Sequence, residues 1–277
     1  MQAHPVPLSP SRVSDFKSCP QLFKFRVVDR LPETKDAWSA RGILVHAVLE
    51  RLFALAAAER TLPQAKELLG RVWQDLKTGE ELAGLSFTPE EEDTWLSDAN
   101  RLISNYFRLE DPSRVEAREL EWWVEHEAER MHLRGIIDRL EVLPGGEWAL
   151  IDYKTGRSPS YSHILESFFG LRFYALVCWR ALGEIPRELR LMHLSEPEVL
   201  RLRPTARMLE GLERQLEAVA QAIRRAHATG DWRPRPSPFC AYCPHRAICP
   251  AWQEREISEE TRRATQAPAP TVAAAPG

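Results

Sequence analysis

The sequence predicts an α/β fold, with a helical N-terminal stretch leading into a small sheet. Three observations carry this. Up to about residue 110, apolar residues recur at helical spacing. ARELEWWVEHE, MHLRGIIDRLEVL and EWALIDYKTG are then consecutive runs rich in aromatic and β-branched residues, parted by LPGG and similar turn signals. Beyond them the period alternates again: a helix, two short strands and a long amphipathic helix.

In chain order, Ser9 or Ser11 can cap a helix through SRVSDFKSCPQLFKFRVV, with Cys19 inside it just before Pro20. A second helix is expected from about Ala40 to Glu59, with His46 and Glu50 one turn apart on one face. Further helices are expected at 62–77 and 89–109, followed by the three-strand meander. A helix from about Tyr161 to Leu182, strands at 188–194 and 199–203, and a helix from Thr205 to Ala228 complete the core. The Pro-rich linker WRPRPSPF then leads into a cysteine-rich loop.

With 277 residues, 44% of them hydrophobic, the chain can bury a sizeable core, and one elaborated domain is the expectation. No stretch reaches the roughly 18 consecutive apolar residues of a membrane span, and MQAHPVPLSPSRVSDF lacks the apolar run of a secretory signal, so a cytoplasmic, non-membrane protein is expected. The formal net charge of −3 argues against coating nucleic acid by bulk electrostatics and leaves a local groove for any such contact. The Ala/Pro-rich end reads as a disordered tail.

GIIDRLE places Asp138 within an apolar strand, and IDYKTG places Asp152 and Lys154 on one face of the next. An uncompensated aspartate in that setting is costly, and a bound cation is the natural compensation. Asp138, then Asp152 fourteen residues on, then Lys154, with a turn between, form D…D-x-K. Such a group can hold the divalent cations that phosphodiester hydrolysis needs, with the lysine orienting water and offsetting transition-state charge.

Three of the five cysteines, Cys240, Cys243 and Cys249, crowd into FCAYCPHRAICP, and Cys19 is the natural fourth thiolate. Clustering of this kind favours a metal centre over disulfides, and thiolate ligation alone fits zinc as well as iron–sulfur. His245 lies within the cluster, but four cysteines already suffice. Cys178, in ALVCWRAL, reads as a buried inert thiol.

Together, LSPSRVSDFKSCPQLFKF, RGILVHAVLERL with its G-x-x-x-H pattern, GIIDRLE, IDYKTG and the closing C-x-x-C-x5-C-P resemble the PD-(D/E)XK nucleases over approximately residues 9 to 252. The branch resembled is that of the RecB-type and AddB-type exonucleases and the CRISPR-associated nuclease of spacer acquisition. The resemblance implies a restriction-endonuclease-like core, a central mixed β-sheet flanked by helices, with a helical N-terminal region and a C-terminal iron–sulfur loop. It implies a nuclease domain over 1–262, with a tail at 263–277. His46, Asp138 and Asp152 match the family's metal ligands and Lys154 its lysine, with the backbone carbonyl of Tyr153 completing the metal shell around Mg²⁺ or Mn²⁺. Cys19, Cys240, Cys243 and Cys249 match a [4Fe–4S] cluster that staples the N-terminal helix to the C-terminus. One departure is visible: Tyr174 matches the tyrosine of the family's Q-x-x-x-Y, but Gly170 stands in place of the glutamine.

The function expected is metal-dependent DNA exonuclease activity on single-stranded or end-containing DNA, in repair, recombination or CRISPR adaptation. Tyr174, Arg172 and Arg157 are the candidate DNA contacts. There is no G-x-x-x-x-G-K-[ST] motif and hence no motor, which leaves a helicase or CRISPR adaptation proteins as candidate partners. The contrasting classes are a non-catalytic DNA-binding scaffold that retains the fold and a zinc-binding interaction domain.

Overall fold

Pro20 breaks the first helix. In the computed structural model, which describes residues 6–82 and 84–253, α1 (Pro10–Ser18) stops before Cys19, and a short α2 (Pro20–Phe23) runs into a π-turn at Lys24–Val28. Cys19 is extended, at φ −160° and ψ 112°, because a residue preceding proline is pushed out of the α region. The expected continuous helix is therefore two helices with Cys19 at their corner. The expected tail at 263–277 lies outside the described residues.

Next, α3 spans Ala37–Phe53, α4 Leu62–Lys77 and α5 Pro89–Leu109. Each begins on a side-chain cap: Asp36 accepts from Ser39 N–H at 2.7 Å, Thr61 from Gln64, and Thr88 exchanges two bonds with Glu91 in a capping box. The second helix starts three residues before its expected position and ends six before it. The reason is packing: beyond Phe53 the run Ala56–Ala58 has helix propensity but nothing large to bury. Leu44, Val48 and Leu52 of α3, Leu68 and Val72 of α4, and Leu102 and Tyr106 of α5 recur at helical spacing and pack together with Ile151 and Tyr153 from the sheet.

Five strands follow in one mixed sheet of order β1-β2-β3-β4-β5: β1 Ala117–Ala128, β2 Met131–Val142, β3 Trp148–Lys154, β4 Glu188–His193 and β5 Glu198–Leu202. The first three form the expected antiparallel meander, β4 joins β3 in parallel, and β5 returns antiparallel to β4. Gly145 and Gly146, at φ 104° and 84°, supply the left-handed backbone of the LPGG turn. The parallel step from β3 to β4 is made by α6 (Ile164–Ser167) and α7 (Phe169–Leu182), and α8 (Ala206–Thr229) ends the series. The single helix expected at 161–182 is broken at Phe168, which leaves the helical range at ψ 4° and buries its ring to 1% exposure. The architecture is α/β, helices flanking a mixed sheet, as expected.

The chain divides into two compact units. One holds the described residues through Val13 together with Glu33–Arg224; the other holds Ser14–Pro32 and the described residues from Arg225 on. Among the described residues, no helix is long and apolar enough to cross a membrane.

Candidate active site

Three carboxylates fall in one row across β1, β2 and β3. The ladder pairs Leu120–Arg139 and Trp122–Ile137 bracket Glu121 and Asp138, and the last β2–β3 pair, Arg139–Ile151, sets Asp138 and Asp152 next in line. Backbone pairing ends there, since the N–H of Tyr153 donates to Asp138 Oδ2 at 2.8 Å. Glu121 adopts φ 44°, a left-handed turn that is rare for a non-glycine residue in a strand.

His46 reaches this row from α3. Its Nδ1 lies 3.4 Å from Asp138 Oδ2, and its Nε2 donates to the carbonyl of Tyr153 at 2.9 Å. Ligand atoms of His46, Glu121 and Asp138 all lie within 4.8 Å of one another. Lys154 Nζ stands 2.6 Å from Asp152 Oδ2, though that oxygen is buried without an aligned hydrogen bond.

The charges perturb one another. Burial pulls His46 down, but the charge and hydrogen bond of Asp138, with Asp152 and Glu121, outweigh it and raise the imidazole to about 9. Glu121 is raised to about 7 by burial and then by Asp138. Burial also raises Asp152, opposed by Lys154 and reinforced by Asp138. Lys154 is raised despite burial because Asp152 faces it, so it stays an ammonium at neutral pH. An excess of acidic groups on one spot, with a buried carboxylate oxygen left unaligned, a histidine and a backbone carbonyl, is the donor set of a hard divalent cation. These residues fit Mg²⁺ or Mn²⁺.

Tyr153 ties the site to the core. Its hydroxyl accepts from Arg139 Nη1 at 2.6 Å; the Arg139 guanidinium is fully buried, pairs with Glu110 at 2.7 Å and with Glu141, and lies 4.3 Å from the centre of the Phe53 ring. Tyr174 of α7 packs on Gly135, where a Cβ would collide with its ring, and burial, then Asp152, Asp138 and Glu121, raise its hydroxyl. Of the other candidate DNA contacts, Arg157 is exposed just after β3, whereas Arg172 is partly buried with its Nε unbonded. Gly170 has only Pro10 Cβ near the position of a side chain, at 4.0 Å.

Within the second unit, Cys19, Cys240, Cys243 and Cys249 line one cavity of about 320 Å³. Backbone N–H groups of Arg235 and Ser237 donate to the sulfurs of Cys19 and Cys240, each at 3.3 Å. Burial raises the Cys243 thiol, and the neighbouring Cys249, Cys240 and Cys19 raise it further. Among the described residues, no three of these sulfurs lie within 4.8 Å of one another. Cys178 is 1% exposed, and burial pushes its thiol to about 12.

Sequence reasoning missed Glu121. Its signal was the register: counting back from the turn at Ala128–Met131 sets it opposite Asp138. That count says nothing of the left-handed turn at Glu121 itself.

The sequence profile of the PD-(D/E)XK nuclease superfamily matches residues 7–250. No curated protein matches the sequence. Among solved structures, the chain is similar to a candidate exonuclease from Eubacterium rectale, with TM-score 0.57 and 17% identity over 87% of this chain and 88% of that one, a likeness of fold. It also aligns with SSO0001 at TM-score 0.41 and 14% identity, over 91% and 89% of the two chains. With the profile spanning nearly all of the described residues, the chain belongs to the PD-(D/E)XK nuclease superfamily.

Proposed function

We propose that the protein is a Mg²⁺- or Mn²⁺-dependent DNA exonuclease that hydrolyses phosphodiester bonds of single strands or DNA ends, in repair, recombination or CRISPR adaptation. The observation that carries this reading is the row of Glu121, Asp138 and Asp152 closed by His46 and Lys154. His46, Asp138, Asp152 and the Tyr153 carbonyl would hold the cation. A bound divalent cation supplies Lewis acidity to the phosphate and makes hydroxide available near neutral pH. Lys154, held protonated by Asp152, orients the attacking water and offsets charge on the pentavalent transition state; as an ammonium it does not take the proton itself. Asp152, set beside it, keeps that ammonium in place. Tyr174, Arg172 and Arg157 are the proposed DNA contacts, and a helicase or CRISPR adaptation proteins the proposed partners.

For the second unit we propose a [4Fe–4S] cluster on Cys19, Cys240, Cys243 and Cys249. The supporting observations are the shared cavity and the N–H groups aimed at two of the sulfurs. Such a cluster would join segments separated by the 220 residues between Cys19 and Cys240. A brown anaerobic preparation with a visible charge-transfer band is expected; a colourless, zinc-containing protein rejects the cluster.

The test of the nuclease reading is incubation of labelled single-stranded and duplex DNA with Mg²⁺ or Mn²⁺, comparing the parent with Asp152→Ala and Lys154→Ala. The parent is expected to degrade DNA and both variants to fail. Equal degradation by all three rejects the catalytic assignment. DNA binding without turnover by any of them leaves the scaffold class.

A further inference from the structure

Trp38 is the second residue of α3, and 58% of it is exposed, whereas Ala40, Leu44, Val45, Val48, Leu49, Leu52 and Phe53 of the same helix are buried. It is nevertheless seated. A Cβ on Gly156 would lie 3.1 Å from Trp38 Cζ2 and 3.7 Å from Cη2, so one edge of the indole rests on the Gly156 backbone. One turn along α3, a Cβ on Gly42 would lie 3.3 Å from Thr155 Oγ1. Two glycines thus bring α3 and the segment after β3 into close approach. Ser195 Oγ fixes that segment by donating to the Gly156 carbonyl at 2.5 Å.

Gly156 is two residues beyond Lys154, and Trp38 is eight residues before His46 on the same helix, about 12 Å along its axis. An exposed indole therefore stands on a fixed support beside the proposed cleavage site. The chain, at −3, has little bulk electrostatic attraction for a polyanion. A flat apolar face can hold a strand through its bases, whose stacking is tolerant of sequence.

We propose that Trp38 is a base-stacking residue that positions an unpaired nucleotide next to the phosphate at Lys154, so that the substrate is single-stranded DNA or a frayed end rather than a paired duplex. The proposal rests on the nuclease reading for what is positioned. Its own content is that the protein recognises bases, which a site built only for phosphate does not.

The experiment is an anisotropy titration of two labelled strands of equal length, an oligothymidylate and an all-abasic deoxyribose-phosphate chain, with Mn²⁺ present. Lys154→Ala is the background, so that strands are not cut. The oligothymidylate is expected to bind roughly tenfold tighter than the abasic chain, within the range of a single base–aromatic stack. Adding Trp38→Leu, which retains apolar packing on Gly156 but no ring, should abolish that ratio, while Trp38→Phe should restore most of it. Equal affinity for the two strands, no binding to either, or a Leu variant that behaves like the Phe variant overturns the proposal. Failure of the nuclease reading appears separately, as a parent that does not cut oligothymidylate.

Discussion

The backbone N–H of Tyr153 donates to Asp138 Oδ2 at 2.8 Å, at the point where the β2–β3 backbone ladder stops. Asp138 thus has a structural as well as a proposed cation-binding duty, and the two separate by substitution. Asp138→Ala leaves a partly buried N–H without its acceptor and should cost about 1–3 kcal/mol of stability. Asp138→Asn keeps a carbonyl acceptor and should melt close to the parent. Both should lose cleavage, since both lose the charge; thermal melts beside a DNA degradation assay read the difference.

Removing the Arg139 guanidinium should be more costly. It is fully buried between Glu110, Glu141, Tyr153 and the Phe53 ring, and Arg139→Ala takes the shared cation from two largely buried carboxylates, leaving Glu141 with Arg190 and Glu110 with the Tyr106 hydroxyl. A loss of about 3–5 kcal/mol is expected, measured by denaturant unfolding.

Gly135 and Gly170 should respond in opposite directions. Gly135→Ala drives a methyl into the Tyr174 ring and should destabilise by about 1–3 kcal/mol while displacing Tyr174. At Gly170 an added Cβ meets only Pro10 Cβ, at 4.0 Å, so Gly170→Gln should fold and gain about 0.5–1 kcal/mol from replacing a helical glycine. If the glutamine of the family pattern serves catalysis, DNA cleavage by this variant should rise above the parent.

The pH dependence follows from His46 and Glu121. His46 is raised from 6.5 to about 9, so its contribution to stability is complete below pH 6.5 and is lost as pH rises through 9. Glu121 is raised from 4.5 to about 7, so folding favours its protonated form and stability falls as pH rises from 4.5 through 7. The cation-free protein should therefore melt lower at pH 8.5 than at pH 6. Binding a cation requires neutral His46 and is favoured by an ionised Glu121 beside it, so the melting shift produced by Mg²⁺ should be larger at pH 8.5. Equal shifts at the two pH values contradict the site.

Much of the fold was legible because its signals are local. The meander's aromatic and β-branched runs, the LPGG turn and the apolar periods of the helices at 62–77 and 89–109 depend on neighbours in sequence. The two helix breaks were not read in advance. Pro20 did announce its break, whereas Phe168 bends the chain to bury its own ring, which is a tertiary demand. At the site, the structure brings Asp138, Asp152, Lys154 and His46 together, and the Tyr153 carbonyl accepts from His46 Nε2. Glu121 escaped because its placement combines strand register with a left-handed turn. Arg139 lay in plain view beside Asp138, but a buried arginine can be distinguished from a solvated one only when Glu110 and Glu141 are seen to converge on it.

Whether the row centred on Asp138 and Asp152 holds a divalent cation for phosphodiester cleavage is decided by calorimetric titration of Mn²⁺ into the parent and Asp152→Asn, with DNA cleavage measured on the same preparations. The parent is expected to bind Mn²⁺ and cleave, and the variant to stay folded while cation affinity and cleavage fall together. Cleavage by Asp152→Asn at the parent's rate, with Mn²⁺ binding unchanged, would contradict cation binding by this row.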